Sequence, residues 1–309
     1  MQFFDASRSS GLRILKQMKL KTVTLAFSIL AASSIAFAAE EKPLSAEPKF
    51  IQVDVPGATI TEALGINSQG EVVGFFFDDN SAIHGFLLSR GTFTTIDVPG
   101  AFFTEAAGIN SGGDIVGGFT DMNFQSHGFL MSRGRFAVID VPGSLSTYAA
   151  GINSSRDIVG QYQDSAGNVH GFLFRKGRFI TIDVPGATSS SAAGINPQEE
   201  IVGSYTDGGS ENGFLRSNGV YHTIVVPGAT STEANGINLE GEIVGSFADS
   251  SFITHGFLLD RGNFTAIDVP GSSVTEAAGI NPRGDIVGTF IDGGIHGFVL
   301  RRTSYPGEL

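Results

Sequence analysis

Five histidines recur at one position of this sequence, and each follows an aspartate by four or six residues. An Asp and a His together could act as a general acid and base, or could ligate a metal ion. A catalytic site is needed only once, and zinc takes about four ligands, so five copies favour pairs that hold loops in place. The pairs are Asp78 with His84, Asp121 with His127, Asp164 with His170, Asp249 with His255 and Asp292 with His296.

A set of glutamates breaks this regularity. Glutamate occupies one equivalent position in four of six sequence repeats, whereas Tyr148 and Ser191 replace it in the third and fourth repeats. If the first and last repeats are neighbours, the glutamates form an acidic arc beside the Asp and His residues, which could bind a cation or a basic partner. The alternative is a solvated rim without a ligand. The four residues are Glu62, Glu105, Glu233 and Glu276.

These residues recur because the chain contains six copies of a unit of about 43 residues. The tripeptide Val-Pro-Gly marks each copy and begins at Val55, Val98, Val141, Val184, Val226 and Val269. The strings Gly-Ile-Asn and His-Gly-Phe recur with nearly the same steps. A fixed period of this length, with β-type sequence, is typical of propeller blades.

Each unit predicts four short antiparallel strands, which is one blade. In the second repeat we expect them over 104–110, 114–119, 127–132 and 135–141. The continuous apolar run in the fourth strand predicts that both of its faces are covered. An aromatic residue recurs at one position of the third strand, and we expect it to be buried in the core between neighbouring sheets. This position is occupied by Phe86, Phe129, Phe172, Phe214, Phe257 and Phe298.

The two ends of the repeat region are out of phase by one strand. The region begins with a lone fourth strand, 50–55, and finishes with the first three strands of a last unit. The N-terminal strand can complete that unit, which predicts an all-β, six-bladed β-propeller over 50–302 with a closed ring. The alternative is an open solenoid, which would need capping repeats.

The first 38 residues have the pattern of an export signal. Three lysines precede an apolar run over 23–38 that finishes with Ala-Phe-Ala, so we expect cleavage after Ala38. An uncleaved anchor is the alternative, although the run is barely long enough to span a membrane. Met18 could itself begin a normal signal. The expected location is secreted or periplasmic.

Composition narrows the classes of partner. The chain has a formal net charge of −12 and no cysteine. The absence of cysteine excludes disulfides and cysteine-based sites. The negative charge disfavours nucleic acids and anionic membranes as partners. We expect a monomer that binds a protein, a cation or a neutral glycan, with no cofactor apart from a cation at the acidic arc. Residues 39–49 are predicted to be a linker, and 303–309 a C-terminal tail.

The repeated strings Asp-Val-Pro-Gly-Ala, Gly-Ile-Asn-x-x-Gly-x-Ile-Val-Gly and His-Gly-Phe-Leu resemble the HAF family of bacterial extracellular repeats, over 50–300. That family's name tripeptide is His-Ala-Phe, and the middle position is Gly here. The resemblance implies export and a repeat-built β fold. It implies no established activity, so it carries over no catalytic residue.

The loops between second and third strands vary most from repeat to repeat. Phe124 and Phe252 lie in two of them and have no repeated core role. Variable loops on a rigid scaffold commonly carry function, and exposed aromatic residues anchor interfaces. We therefore expect a binding or scaffold module whose partner contacts this face near the second and fifth repeats. The alternatives are that both rings fold over their own loops, and that the polar face belongs to an extracellular hydrolase or lyase.

Overall fold

The structure is a computed structural model and describes residues 49–302. The first strand is β1 (Lys49–Val53). Repeat 1 contains β2 (Ile60–Ile66), β3 (Val72–Phe77), β4 (Ile83–Ser89) and β5 (Thr92–Ile96). Repeat 2 contains β6 (Ala101–Ile109), β7 (Ile115–Asp121), β8 (Ser126–Ser132) and β9 (Arg135–Ile139). Repeat 3 contains β10 (Ser146–Ile152), β11 (Ile158–Gln163), β12 (Val169–Arg175) and β13 (Arg178–Ile182).

The second half of the chain follows the same order. Repeat 4 contains β14 (Ser189–Ile195), β15 (Ile201–Asp207), β16 (Ser210–Ser217) and β17 (Val220–Ile224). Repeat 5 contains β18 (Ser231–Ile237), β19 (Ile243–Ala248), β20 (Thr254–Asp260) and β21 (Asn263–Ile267). Repeat 6 contains β22 (Val274–Ile280), β23 (Ile286–Ile291) and β24 (Ile295–Arg301).

Consecutive strands of each repeat pair antiparallel. Repeats 2 to 5 each form a separate four-stranded sheet. Repeats 1 and 6 share one eight-stranded sheet, in which β1 pairs antiparallel with β24 and a single parallel bridge joins Ile60 to Ile295. Repeated four-stranded antiparallel sheets of this kind make a β-propeller. The prediction of an all-β propeller is confirmed.

A glycine in the second strand of each repeat explains part of the repeated Ile-Val-Gly string. At Gly74, a Cβ atom would lie 1.9 Å from the main-chain oxygen of Glu62. The first strand has an irregular register between Ala63 and Gly65, beside this contact. The two strands therefore approach too closely for any side chain at this position.

The core lies between neighbouring sheets, as predicted. The third-strand phenylalanines are fully buried in all six repeats. Phe129, for example, packs with Val73 of repeat 1 and Ala106 of its own repeat. Burying such a side chain stabilises the fold by roughly 1.5–3 kcal/mol. One buried ring in each repeat thus fastens that sheet to the sheet before it.

The prediction that the fourth strand is covered on both faces is wrong. This strand is the outermost of its sheet. In β9, Ile139 is buried whereas Val138 is 58% exposed. A short continuous apolar run has no periodicity, so it cannot distinguish a covered strand from an outer one.

An asparagine in each turn between the first and second strands joins neighbouring repeats. The side-chain amide of Asn110 donates to the main-chain oxygen of Asn153 at 3.2 Å, and Asn67 donates to the main-chain oxygen of Asn110 in the same way. The side-chain oxygen of Asn110 accepts two main-chain N–H groups of its own turn. These turns therefore lie on one side, which we call the turn face. The loops between strands two and three, and the connections that carry Val-Pro-Gly, lie on the opposite side, the loop face.

Several sequence-based expectations fall outside the described residues. The predicted signal over 1–38, the linker as far as residue 48 and the tail over 303–309 belong to this group. Within 49–302, no helix has the length and apolar character needed to cross a membrane.

Candidate functional site

Each of the five repeated histidines lies between two carboxylates on the loop face. In repeat 2, Nδ1 of His127 lies 2.7 Å from Oδ2 of Asp140, the residue that precedes Val-Pro-Gly. Its Nε2 lies 3.8 Å from Oδ2 of Asp121, the partner predicted from the sequence. The predicted pairs are thus the longer of two contacts. The shorter contacts are His84 with Asp97, His127 with Asp140, His170 with Asp183, His255 with Asp268, and His296 with Asp54.

In four of the five predicted pairs, those of Asp78, Asp121, Asp164 and Asp249, the aspartate also organises its own loop. Oδ1 of Asp121 accepts the main-chain N–H groups of Asn123 and Gln125, at 2.8 and 2.9 Å. The bond from Gln125 is the largest cause that lowers the pKa of Asp121. In repeat 3, hydrogen bonds from Asn168 lower the pKa of Asp164 to about 2. These carboxylates are therefore ionised at neutral pH and act first as loop anchors.

The histidine rings are held in place by stacking as well as by carboxylates. The ring of His127 stacks on Phe119 with centroids 5.0 Å apart. For His170, burial lowers the pKa, but hydrogen bonds with Asp183 and Asp164 outweigh it and raise the pKa overall. Since both ring nitrogens face carboxylates, the geometry favours a structural role over a free general base.

Phe124 and Phe252 project from the loop face. Their exposed fractions are 65% and 69%, so the alternative that both rings fold over their own loops is wrong. Phe102, which sequence reasoning missed, is 52% exposed, and its ring centroid lies 5.4 Å from that of Phe124. The available signal was its position: four other repeats have Thr or Ser there and repeat 3 has Leu145. We call Phe102, Met122 and Phe124 the aromatic patch.

Phe124 and Phe252 both have an unfavourable backbone conformation. Phe124 and Phe252 have φ values of 62° and 61°, in the left-handed region that bulky residues rarely adopt. The equivalent residues of repeats 1 and 3 are Ser81 and Gly167, also with positive φ. Two repeats thus place a large apolar ring, exposed, where a small residue would fit better.

Two cavities lie beside these loops. The larger, of about 210 Å³, is next to the loop of repeat 2. The smaller, of about 90 Å³, is next to the loop of repeat 5. Each lies between that loop and the Val-Pro-Gly connection to the next repeat. His127 and Asp140 line the first cavity, whereas His255 and Asp268 line the second. The cavities therefore flank Phe124 and Phe252, in the repeats that the sequence singled out.

The acidic arc does not lie where it was expected. Glu62, Glu105, Glu233 and Glu276 are placed within the first strands, not on the loop face. In β2 the neighbours Thr61 and Ala63 are buried and Glu62 is partly exposed, so the glutamate points away from the sheet interface. The first strand of a blade lines the central channel. The glutamates are thus channel residues. Sequence reasoning assigned them to the wrong surface because it could not place them along the strand.

Electrostatics couple three of these channel positions. Burial, followed by the charge of Glu62, raises the pKa of Glu105 to about 7. Burial and the charges of Glu105 and Glu62 raise the pKa of Tyr148 well above its ordinary value. The Tyr148 ring packs over Gly118, where a Cβ atom would lie 2.5 Å from the ring. Tyr148 therefore fills channel space beside Glu105 that the other repeats occupy differently.

The described residues include no metal centre. Within 49–302, no group of three or more His, Cys, Asp or Glu residues has an arrangement that could hold a metal ion. A cation at the four glutamates therefore stays a prediction without a geometric basis.

Solved structures of other proteins share this fold. TolB from Acinetobacter baumannii matches with a TM-score of 0.57 and 11% identity, over 75% of this chain and 63% of that chain. AofleA from Arthrobotrys oligospora matches with a TM-score of 0.53 and 14% identity, over 82% of this chain and 86% of that chain. A gluconolactonase-like protein matches with a TM-score of 0.50 and 12% identity, over 84% of this chain and 94% of that chain. At these identities the likeness shows the fold alone.

No family model matches the sequence, and no curated protein matches it. The site must therefore be interpreted from its own geometry.

Proposed function

We propose that this protein is an exported binding module, a closed six-bladed propeller that holds a partner on its loop face beside repeats 2 and 5. The basic and apolar pattern of 1–38 supports export, to the periplasm or beyond. The repeat strings support membership of the HAF family. Binding rather than catalysis is the function that the loop face favours.

Three contacts support the closed six-bladed ring. The N-terminal β1 supplies the fourth strand beside β24. Asp54, just after β1, lies 3.1 Å from His296. It takes the place that the aspartate directly before Val-Pro-Gly has beside the histidine of repeats 1, 2, 3 and 5. Asn281 donates to the main-chain oxygen of Asn67. Each contact relates the two ends of the chain as consecutive repeats are related.

The pair of exposed rings, Phe124 and Phe252, carries the proposal. A left-handed conformation costs a bulky residue on the order of 1 kcal/mol, and rings that are mostly exposed recover little of this by packing within the chain. Retaining such rings is reasonable where a partner covers them, because buried aromatic residues dominate interface energies. The adjacent cavities give a partner polar groups to contact.

The alternative function is an extracellular hydrolase or lyase. The five Asp–His–Asp arrangements are the observation in its favour, since they bring ionisable groups together on one face. They are nevertheless nearly identical, and each histidine faces two carboxylates. A catalytic centre needs one arrangement that differs from the rest, so the binding module is the stronger proposal.

The experiment compares wild-type protein with Phe124→Ser/Phe252→Ser on arrays of neutral oligosaccharides and short peptides. Serine is the natural occupant of the same position in repeat 1. We expect signals on at least one array to fall about tenfold or more in the double variant, as for the loss of central aromatic contacts. Circular dichroism and thermal unfolding check that the fold persists.

The matched control removes two exposed apolar side chains from the turn face, Val220→Ser and Leu239→Ser, which are 55% and 45% exposed. This variant should bind like wild type. Binding that survives in the loop-face variant and disappears in the control would overturn the proposal. Turnover of glycoside or ester substrates that depends on a residue present in one repeat only would favour the enzyme.

A further inference from the structure

Positive side chains are confined to one of the two faces, whereas negative side chains occur on both. All the Lys and Arg residues within 49–302 lie in the turns of the turn face or at the adjacent strand ends. The loops and connections of the loop face contain neither Lys nor Arg within the same range. The loop face instead has twelve aspartates, which are Asp54, Asp78, Asp79, Asp97, Asp121, Asp140, Asp164, Asp183, Asp207, Asp249, Asp268 and Asp292.

Many of these carboxylates remain available to a partner. The side chains of Asp97 and Asp268 are 50% and 49% exposed although each contacts a histidine. Hydrogen bonds lower the pKa of Asp78, Asp121 and Asp249, so these groups keep their charge well below neutral pH. The loop face is thus strongly negative in the solvent where a partner would approach.

Apolar groups lie within this acidic surface. The aromatic patch includes Met122, which is 68% exposed and lies in the same loop as Phe124. Leu145, at the far side of the larger cavity, is 52% exposed. In repeat 5, Phe252 is accompanied by Ile253, which is 45% exposed. A matching surface must therefore have both positive charge and apolar side chains.

We infer that the partner is a protein segment rich in Lys or Arg with interspersed apolar side chains, and that it docks on the aromatic patch and the adjoining cavity of repeat 2. This inference rests on the proposed function and names its partner class. Basic groups reach Asp140 in the cavity and the faces of Phe102 and Phe124, where a cation is attracted to the ring. Apolar side chains cover Met122 and Leu145. An acidic segment would be repelled by the same carboxylates.

Labelled peptides test the partner class by fluorescence anisotropy with the whole protein. One peptide alternates Lys and Leu, and two matched peptides have Ser or Glu in place of Lys. We expect the Lys peptide to bind more tightly than the Ser peptide and the Glu peptide not to bind. Raising the salt from about 0.01 M to about 0.15 M should weaken the Lys peptide, because the screening length falls from about 30 Å to about 8 Å.

Two variants locate the charge effect. Asp140→Asn removes a carboxylate from the cavity of repeat 2 while the amide oxygen can still accept a hydrogen bond from His127. We expect the Kd for the Lys peptide to rise about threefold, the effect of one partly exposed charge pair. The control, Glu240→Gln/Asp260→Asn, neutralises two exposed carboxylates of the turn face and should leave the Kd unchanged.

The outcomes separate this inference from the proposed function. If the Ser peptide binds as tightly as the Lys peptide, and Phe124→Ser/Phe252→Ser abolishes both, the loop face binds but the inference about charge is wrong. The same holds if only a neutral oligosaccharide binds and depends on those rings. If the Lys peptide responds only to the turn-face variant, both the inference and the proposed function are wrong.

Discussion

The side-chain amide of Asn281 donates a hydrogen bond to the main-chain oxygen of Asn67 at 3.2 Å, although 214 residues separate them. The same bond joins Asn110 to Asn153 between adjacent repeats. Asn281 is fully buried, and its side-chain oxygen accepts the N–H groups of Arg283 and Asp285. A single side chain therefore both builds its own turn and contacts the turn at the other end of the propeller.

The first prediction compares Asn281→Ala with Asn110→Ala. Each substitution leaves several buried polar groups without partners, so each should lower the free energy of unfolding by about 2–4 kcal/mol. In a closed ring the two losses should agree within about 0.5 kcal/mol. Urea unfolding provides the measurement. A much smaller loss for Asn281→Ala would indicate that the contact with Asn67 does not persist in solution and that the array is open.

The second prediction concerns β1. Deletion of 50–56 removes the partner of β24, the buried Val53 and the Phe50 ring, which lies 5.6 Å from the ring of Phe298. The exposed edge and lost packing should lower the melting temperature by at least about 10 °C, since even 1 kcal/mol shifts a domain of this size by about 2–4 °C.

Two further measurements make the β1 deletion decisive. Deletion of 40–46 shortens the N-terminus by the same number of residues and should leave the melting temperature unchanged. A peptide of sequence 49–56, added to the truncated protein, should restore part of the lost stability by pairing with β24. Equal melting temperatures for the 50–56 deletion and wild type would contradict a closing role for this strand.

The third prediction separates stability from binding at Phe124. Phe124→Gly should raise the free energy of unfolding by about 0.5–1 kcal/mol, because glycine adopts φ of 62° without strain and the lost ring is mostly exposed. Binding on the loop face should weaken in the same variant. Ser81→Gly in repeat 1, which also has a positive φ, is the control that should change stability slightly and binding not at all. A loss of stability in Phe124→Gly would mean that the ring packs within the chain.

The fourth prediction concerns pH. The pKa of Glu105 rises from 4.5 to about 7 on folding, so the folded state holds the proton more tightly than the unfolded chain. Ionisation therefore lowers stability progressively from about pH 4.5 to pH 7, and the whole penalty is present above that range. Glu105→Gln should raise the free energy of unfolding on the order of 2 kcal/mol at about pH 8. This is less than the pKa shift alone gives, because part of the side chain remains exposed.

Below about pH 4.5 the same substitution should have almost no effect, because the carboxyl is neutral in both states. Thermal unfolding of both proteins across the pH range provides the measurement. Glu240→Gln, on the exposed turn face, is the matched control, for which we expect changes within about 0.5 kcal/mol throughout. A destabilised Glu105→Gln at pH 8 would show that the ionised carboxylate has a favourable partner in the channel.

The repeats made the fold largely predictable from the sequence. The turn residues and the buried Phe129 site fix strand order and core, and the predicted strands of repeat 2 differ from β6–β9 by a few residues at their ends. The fourth strand was misjudged because Val138 lies in an unbroken apolar run. An unbroken apolar run does not show whether its strand is covered on both faces or is the outermost strand of its sheet.

The site was less predictable, because it depends on contacts between distant segments. Proximity in sequence suggested Asp121 as the partner of His127, whereas the nearer carboxylate belongs to Asp140, beyond a whole strand pair. The Phe102–Phe124 contact likewise joins the start of β6 to the loop between β7 and β8. Glu105 illustrates a third difficulty, because nothing in its repeat distinguishes a position in a channel strand from one in a surface loop.

Because every Lys and Arg within 49–302 lies on the turn face and twelve aspartates lie on the loop face, the propeller has a permanent dipole along its axis. In dilute salt an approaching charged molecule exerts a torque on this dipole before any surfaces touch, because electrostatic fields extend over about 30 Å. A positively charged molecule that diffuses nearby therefore meets a protein already rotated to present Asp140 and the aromatic patch. Encounters in a wrong orientation become rarer, so the association rate gains more than the lifetime of the complex. Charge that lies far from every contact thus still affects how quickly a partner is found.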